Sequence, residues 1–332
     1  MARYFVTGGT GFLGAEVAKQ LLSRGHRVAV LVRDPARAML LARLGAEVHR
    51  GDVTDPESLR GPMSGADGVF HLAAWFKTGH PGAAALAEAV NVGGTRHVLA
   101  AMRELGIRKG VYTSTLAVNS DTHGVVVDES YRYRGPHLTV YDRTKWQAHY
   151  EVALPMMAAG LPLVVVQPGV VYGPGDTGGL RAVFVAHLRR RLPLVPARTA
   201  FCWGHIEDTA RAHLDAMDKG RPGQSYFLAG PAHTLAEAVA LAAVHSRRAA
   251  PLAAVPPVVF RGAARLSRVV EALLPLPAAL SAETLAVLGG ATYLGASDKA
   301  RRELGFAPRP LAAGLRHLVE HELRQLGVTL PA

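Results

Sequence analysis

The sequence predicts an α/β fold: a doubly wound parallel sheet with a smaller, mostly helical C-terminal region packed against it. Three observations carry this. Short apolar runs alternate with helix-length segments as far as Gly173, the pattern of consecutive βαβ units. The glycine-rich stretch Thr7-Gly8-Gly9-Thr10-Gly11-Phe12-Leu13-Gly14 separates the first run from the first helix. Beyond Gly173 the alternation loosens into Ala- and Leu-rich segments. Strands and helices at this spacing feed a sheet with right-handed crossovers.

Taken in order, Arg3 to Val6 reads as a buried strand, and an apolar-periodic helix follows the glycines to Arg24. Gly8 allows a tight turn, Gly11 a close approach of backbone to a pyrophosphate, and Gly14 a helix seated close on the sheet. Free N–H groups at that helix start face the anion. Alone, such glycines could also be only a turn. Arg27 to Val32 is the second strand, and Asp34 caps a helix that starts at Pro35 and closes at Gly45. Glu47 to Arg50 is a third strand ending at Gly51-Asp52, and Asp55-Pro56 opens a short helix. Gly68 to Leu72 is a fourth strand, followed by Ala73-Ala74 and an alanine-rich helix from Ala83 to Leu105. Lys109 to Thr113 is a fifth. A helix from Val140 to Ala159, bent near Pro155, leads into Leu163 to Gln167, the sixth. Further helices are expected at Leu180 to Arg191 and Asp208 to Lys219. Val258 to Leu274 is amphipathic, with Arg261, Arg265 and Arg268 on one face. A core-facing helix is the reading taken for it. A substrate lid, a dimer contact or a membrane-surface helix are the alternatives.

The chain of 332 residues carries 37 Lys and Arg against 26 Asp and Glu, a formal charge of +11. The excess is dispersed arginine, which suits a solvated surface or an anionic ligand and does not indicate nucleic acid. Cys202 is the single cysteine, so no intrachain disulfide forms. The uncharged stretch Val152 to Gly175 is broken by Pro155, Pro162, Pro168 and Pro174, which argues against a membrane span. The protein is expected to be soluble and cytoplasmic, without a metal.

Two groups of residues could do chemistry. Tyr141 and Lys145 stand four apart on a helix and share a face. An ammonium beside a phenol favours the phenolate and lowers its pKa, giving an acid/base usable near neutrality. The pair opens the helix after the fifth strand, where a ligand at the strand ends would lie. Thr113-Ser114-Thr115 ends that strand. Its hydroxyls could donate to a substrate oxygen or satisfy loop backbone.

With Gly8, Gly11, Gly14, Thr115, Tyr141 and Lys145 in this order, the chain resembles the extended short-chain dehydrogenase/reductase superfamily, and within it the dihydroflavonol-reductase-like branch. The resemblance runs nearly full length through Gly51-Asp52-Val53, His71-Leu72-Ala73-Ala74, Asn91-Val92-Gly93-Gly94-Thr95, and Gln167-Pro168-Gly169-Val170-Val171-Tyr172-Gly173-Pro174. It continues through His205-Ile206-Glu207-Asp208-Thr209-Ala210 to Leu304-Gly305-Phe306. It implies an NAD(P)-binding Rossmann domain over 1–173, part of 200–230 returning to it, and a mainly substrate-binding region over 174–332. It implies a homodimer through the helices after Ala83 and Tyr141. Gly8, Thr10, Gly11, Phe12, Leu13 and Gly14 would cradle the diphosphate, and Asp52 and Val53 would lie against the adenine. Leu72, Ala73 and Ala74 would line the cofactor channel. Asn91 would brace the loop under the active site. Thr113 belongs to the cofactor set, and Pro168, Gly169, Val170 and Val171 would pass beside the nicotinamide. Thr115 would hold the substrate oxygen, Tyr141 would be the acid/base, and Lys145 would also bond the nicotinamide ribose.

Leu116-Ala117 follows Thr115 where sugar dehydratases of the superfamily carry Asp-Glu, which argues against dehydration. The function expected is an oxidoreductase moving a hydride between nicotinamide and a carbonyl or alcohol of a small organic molecule. Its rivals are an NAD-dependent sugar-nucleotide epimerase and a non-catalytic nucleotide-binding regulator. Arg33 and Arg37 can pair with a 2′-phosphate, and Asp34 is better explained as a cap. NADP is therefore the cofactor expected, with NAD as the alternative. Trp75, Phe76 and Leu116-Ala117-Val118 are expected to make the reaction centre apolar.

Overall fold

The computed structural model describes residues 1–76 and 83–328; the last four residues of the expected C-terminal region lie outside these. Its centre is a seven-stranded parallel sheet. The first six strands are β1 (Arg3–Thr7), β2 (Arg27–Val32), β3 (Glu47–Arg50), β4 (Gly68–His71), β5 (Gly110–Thr113) and β6 (Leu163–Pro168). The spatial order is β3-β2-β1-β4-β5-β6, and the strand Ser225–Leu228 adds itself beyond β6. The order reverses between β1 and β4, which opens a crevice at their C-terminal ends. Strand periodicity puts alternate residues on opposite faces. Tyr4, Val6, Val28, Val30, Val164 and Val166 enter one core and Phe5, Ala29, Leu31, Leu163 and Val165 the other. Both faces are helix-covered, so these strands are near-continuous apolar runs.

Two expected long helices are each interrupted by a wide, π-type turn. The first runs Ala83–Glu88, π turn Ala89–Gly93, then Gly94–Glu104. The second runs Val140–Gln147, π turn Ala148–Ala153, then Leu154–Ala158. Pro155 falls in the first turn of the last segment, so the wide turn absorbs its missing N–H.

The chain leaves the central sheet at Pro168. Val170–Tyr172 pairs in parallel with Ala200–His205, which also pairs with Ala232–Thr234 and Thr292–Tyr293. Gly169 sits at the crossing, where a Cβ would stand 2.1 Å from the Cys202 carbonyl oxygen. The helix Ile206–Lys219 then returns to pack on the helix Phe12–Ser23. A third core is built from Tyr172, Trp203, Leu235, Leu315 and their neighbours.

The amphipathic segment differs from the core-facing expectation. Its helix, Pro257–Glu271, buries only Ala264 and Ser267, against the helix Ala282–Leu288. Its apolar stripe faces solvent. Among the described residues no helix is long and apolar enough to cross a membrane.

Candidate active site

The glycine turn is shaped by close approach. Gly8 has φ +75°, and its carbonyl accepts the Gly11 N–H at 2.8 Å. A Cβ on Gly14 would stand 2.2 Å from that same carbonyl oxygen, and one on Gly8 2.7 Å from the Ala73 nitrogen. Side chains at either position would force the turn open. The helix Phe12–Ser23 starts at Gly11 without a side-chain cap. Its first N–H groups, around Phe12 and Leu13, thus keep their hydrogen-bonding capacity for an anion. A shallow backbone cradle with uncapped donors fits a dinucleotide diphosphate.

The ends of β2 and β3 flank the glycine turn. Asp34 Oδ1 accepts the Ala36 N–H at 3.0 Å, so its carboxylate caps the turn Pro35–Ala38. Arg33 and Arg37 are exposed, with Arg33 Nε 4.0 Å from Asp52 Oδ2. Asp52 Oδ1 accepts from the Thr54 N–H and hydroxyl, both at 2.9 Å. Val53 is buried and packs where Gly94 has no Cβ.

The crevice floor is a chain of buried hydrogen bonds. The Ala73 N–H donates to Thr7 Oγ1, which lies 2.8 Å from His71 Nδ1; His71 Nε2 lies 3.1 Å from Thr95 Oγ1, which donates to the Asn91 carbonyl at 2.6 Å. Thr95 spends its proton on Asn91, so His71 carries its own on Nε2 and accepts from Thr7 at Nδ1. Burial, with Lys145 nearby, pushes the His71 pKa down to about 3, so the ring is neutral. Asn91 accepts from the Trp75 N–H and donates to the Trp75 carbonyl and to Thr144 Oγ1. Its amide ties the end of β4 to the helix that carries Tyr141 and Lys145. Leu72, Ala73 and Ala74 are partly buried between these anchors.

Thr139 opens that helix, its hydroxyl accepting the Asp142 N–H at 3.0 Å. Tyr141 is partly open to the crevice and hydrogen-bonded to Thr115. Thr115 Oγ1 also accepts the Ala117 N–H. Lys145 is buried. Its ammonium donates to the Thr113 carbonyl at 2.8 Å and the Tyr112 hydroxyl at 3.1 Å, and lies 4.7 Å over the Tyr112 ring centre. Burial drives the Lys145 pKa down to about 7. Burial also pushes the Tyr141 phenol up to about 12, partly offset by Thr115. This reverses the expectation that Lys145 would depress the phenol. The ammonium is turned inward to Tyr112 and Thr113, so desolvation decides. At neutral pH Tyr141 holds its proton.

Thr113 uses its hydroxyl on His213 Nε2, 3.0 Å away, and His213 Nδ1 donates to the Thr209 carbonyl. Ser114 likewise meets His149 at 3.0 Å. The hydroxyls beside Thr115 thus satisfy interior histidines. Leu116 packs with Cys202 and Phe227, and Val118 is buried, so neither forms a pocket wall; Trp75 and Ala117 are partly buried against the cores and Phe76 is exposed. Pro168, Gly169, Val170 and Val171 form the junction between the sheets, with Val170 and Val171 partly open.

Sequence reasoning missed the residues that hold the site. Tyr112 lies under Lys145. Tyr293 donates to Asp142 Oδ2 at 3.1 Å, and Glu283 accepts the Val140 N–H at 2.7 Å. Burial raises the Asp142 pKa to about 7, against the hydrogen bonds from Thr139 and Tyr293. His149, one turn after Lys145, was legible as a same-face neighbour. Nothing local in sequence points to Tyr293 or Glu283.

A doubly wound sheet, a glycine cradle at the switch point and a Thr-Tyr-Lys group at its mouth define an NAD(P)-dependent oxidoreductase. Comparison with known proteins agrees. Residues 4–229 match the NAD dependent epimerase/dehydratase family, and the chain belongs to it, within the extended short-chain dehydrogenase/reductase superfamily. Its relatives include dihydroflavonol-reductase-like and cinnamoyl-CoA reductase proteins. It is 34% identical over 313 residues, 92% of each chain, to 4-hydroxy-2-methyl-3-oxo-4-farnesyl-3,4-dihydroquinoline-1-oxide ketoreductase of Stigmatella aurantiaca. It is 32% identical to 2-alkyl-3-oxoalkanoate reductase of Stenotrophomonas maltophilia, over 95% of this chain and 98% of that one. Among solved structures, gox2253 superposes with a TM-score of 0.83 at 28% identity, covering 98% of this chain and 99% of that one.

Proposed function

We propose that the protein is an NADP-dependent ketoreductase for a lipophilic carbonyl compound. The observation that carries the reading is the helix that presents Tyr141 beside a buried Lys145, whose ammonium is held by the Thr113 carbonyl and the Tyr112 hydroxyl at the end of β5. A reductase needs an acid at neutral pH where the carbonyl oxygen gains charge. Thr115 positions that oxygen and Tyr141 delivers the proton to it, while Lys145, one helical turn on, keeps its ammonium on Tyr112 and Thr113. The nicotinamide dinucleotide, when bound, supplies the hydride. Gly8, Thr10, Gly11, Phe12, Leu13 and Gly14 hold its diphosphate, and Asp52 and Val53 border the adenine. Asn91 acts by bracing, because its amide is committed to Trp75 and Thr144.

The NADP preference rests on the end of β2. Asp34 spends its carboxylate on Ala36, whereas the exposed Arg37, and Arg33 in its loose 4.0 Å pair with Asp52, can turn to a 2′-phosphate. The lipophilic substrate is supported by the apolar pair Trp75 and Phe76 that follows the β4 motif, and by relatives named for farnesyl- and alkyl-bearing ketones. The test supplies NADPH with long-chain 3-oxo compounds and aromatic ketones, and separately NAD with UDP-sugars. Stoichiometric NADPH loss with a ketone is expected. Interconversion of a UDP-sugar without net cofactor consumption overturns the reading.

A further inference from the structure

We propose that the helix Pro257–Glu271 is a docking surface for an anionic lipid bilayer. At a helical repeat, Val258, Val259, Leu266 and Val269 fall on one side. That side faces solvent: Val258 is 71% exposed, Leu266 67% and Val269 63%. The stripe continues into the following turn with Leu273 and Leu274, 80% and 63% exposed. An apolar face of this length costs free energy in water and marks an interaction site.

The opposite side is the one that folding uses. Ala264 and Ser267 are buried, the Ser267 hydroxyl donates to the Leu280 carbonyl at 2.6 Å, and Arg261 Nε donates to the Gly289 carbonyl at 2.9 Å. The helix is therefore fixed in place with its apolar stripe outward. Turning the stripe inward would break these contacts.

Charge identifies the occupant. Arg261, Arg265 and Arg268 border the stripe along one edge, all exposed, and Arg265 and Arg268 form no hydrogen bond or ion pair among the described residues. The one acid of the helix, Glu271, accepts the Ala282 N–H. A second copy would bring the same arginines and the same +11 charge against this face. An anionic headgroup layer instead complements the arginines while its acyl boundary covers the stripe. The supporting helix, Ala282–Leu288, carries Glu283, which holds the start of the helix bearing Tyr141. The docking surface thus lies one helix away from the active site.

The test is vesicle flotation of the full chain and does not depend on turnover. Vesicles of phosphatidylcholine with phosphatidylglycerol should bind the protein, salt should weaken binding, and phosphatidylcholine alone should bind poorly. Leu266→Ser with Val269→Ser should lower affinity at least about tenfold by removing the apolar contact. Arg265→Glu with Arg268→Glu should do the same on anionic vesicles only. These side chains are exposed, so thermal midpoints should stay unchanged. Three results overturn the proposal: no binding to anionic vesicles, undiminished binding by the Leu266→Ser/Val269→Ser protein, or a dimer in sedimentation that this variant dissolves, which would mean that a second copy covers the stripe.

Discussion

Replacing Tyr112 by Phe tests how the charge on Lys145 is set. The buried ammonium has two oxygen acceptors, the Thr113 carbonyl and the Tyr112 hydroxyl, and burial has already brought its pKa down to about 7. Tyr112→Phe removes the second acceptor and keeps the ring beneath the ammonium. A hydrogen bond to a charged group contributes about 1.5–3 kcal/mol, and about 1.4 kcal/mol is one pKa unit. The neutral amine retains its bond to Thr113, so the lower end applies. The Lys145 pKa should fall by about one unit, leaving roughly a tenth of the protein protonated there at neutral pH rather than about half. The linkage has a definite sign. The folded pKa lies below the unfolded one, so stability rises with pH between the two, and the variant extends that window about one unit lower. The assay is the pH profile of kcat with cofactor and substrate saturating. If the Lys145 charge is needed to stabilise the tyrosinate, activity falls as pH rises through its pKa, and this alkaline limb should move down by about one unit in the variant. A variant that stays folded with an unmoved limb would refute the reasoning.

Tyr141→Phe should cut turnover by roughly 10²–10⁴-fold with cofactor binding nearly intact, read from steady-state rates and NADPH fluorescence titration. NADPH should bind more tightly than NADH, and Arg33→Ser with Arg37→Ser should erase the difference; equal affinities in the parent protein would make Asp34 the reader of the ribose. Asp142, whose folded pKa is raised to about 7, contributes stability present below its unfolded value near 4 and lost as pH rises through 7. Asp142→Asn should flatten that dependence in thermal melts at pH 5 and pH 8, by at most about 3 kcal/mol. Gly14→Ala should destabilise the protein by about 1–3 kcal/mol and weaken nucleotide binding, because the new methyl meets the Gly8 carbonyl; a melt and a titration check both.

The sheet was legible because its strands are buried on both faces and so read as apolar runs, and because the glycines mark backbone that no Cβ can enter. Tyr141 and Lys145 were legible because helical spacing places them on one face. Their charges were not. The phenol had been expected to fall in pKa next to an ammonium, yet Lys145 points to Tyr112, which spacing along one helix cannot show. Thr113 read as a cofactor residue, while its hydroxyl meets His213, a hundred positions on. Leu116 and Val118 read as pocket wall and are interior, since a 3-10 turn at Leu116–Asn119 turns them inward. The helix Pro257–Glu271 was recognised as amphipathic, but periodicity alone does not say which face the rest of the chain covers.

The grip of Tyr293 and Glu283 on the start of the helix that bears Tyr141 has a consequence during synthesis. The glycine turn and its neighbouring strands come early in the chain, whereas the helix Ile206–Lys219 that packs on them comes later and Asp142 waits for a partner 151 positions on. At translation rates of roughly 5–20 residues per second, the nascent chain spends about 8–30 seconds with the helix of Tyr141 and Lys145 still unanchored at its first turn. A ribosome that stalls after the second sheet has begun but before Tyr293 emerges would release a fragment without the clamp on the helix that bears Tyr141 and Lys145.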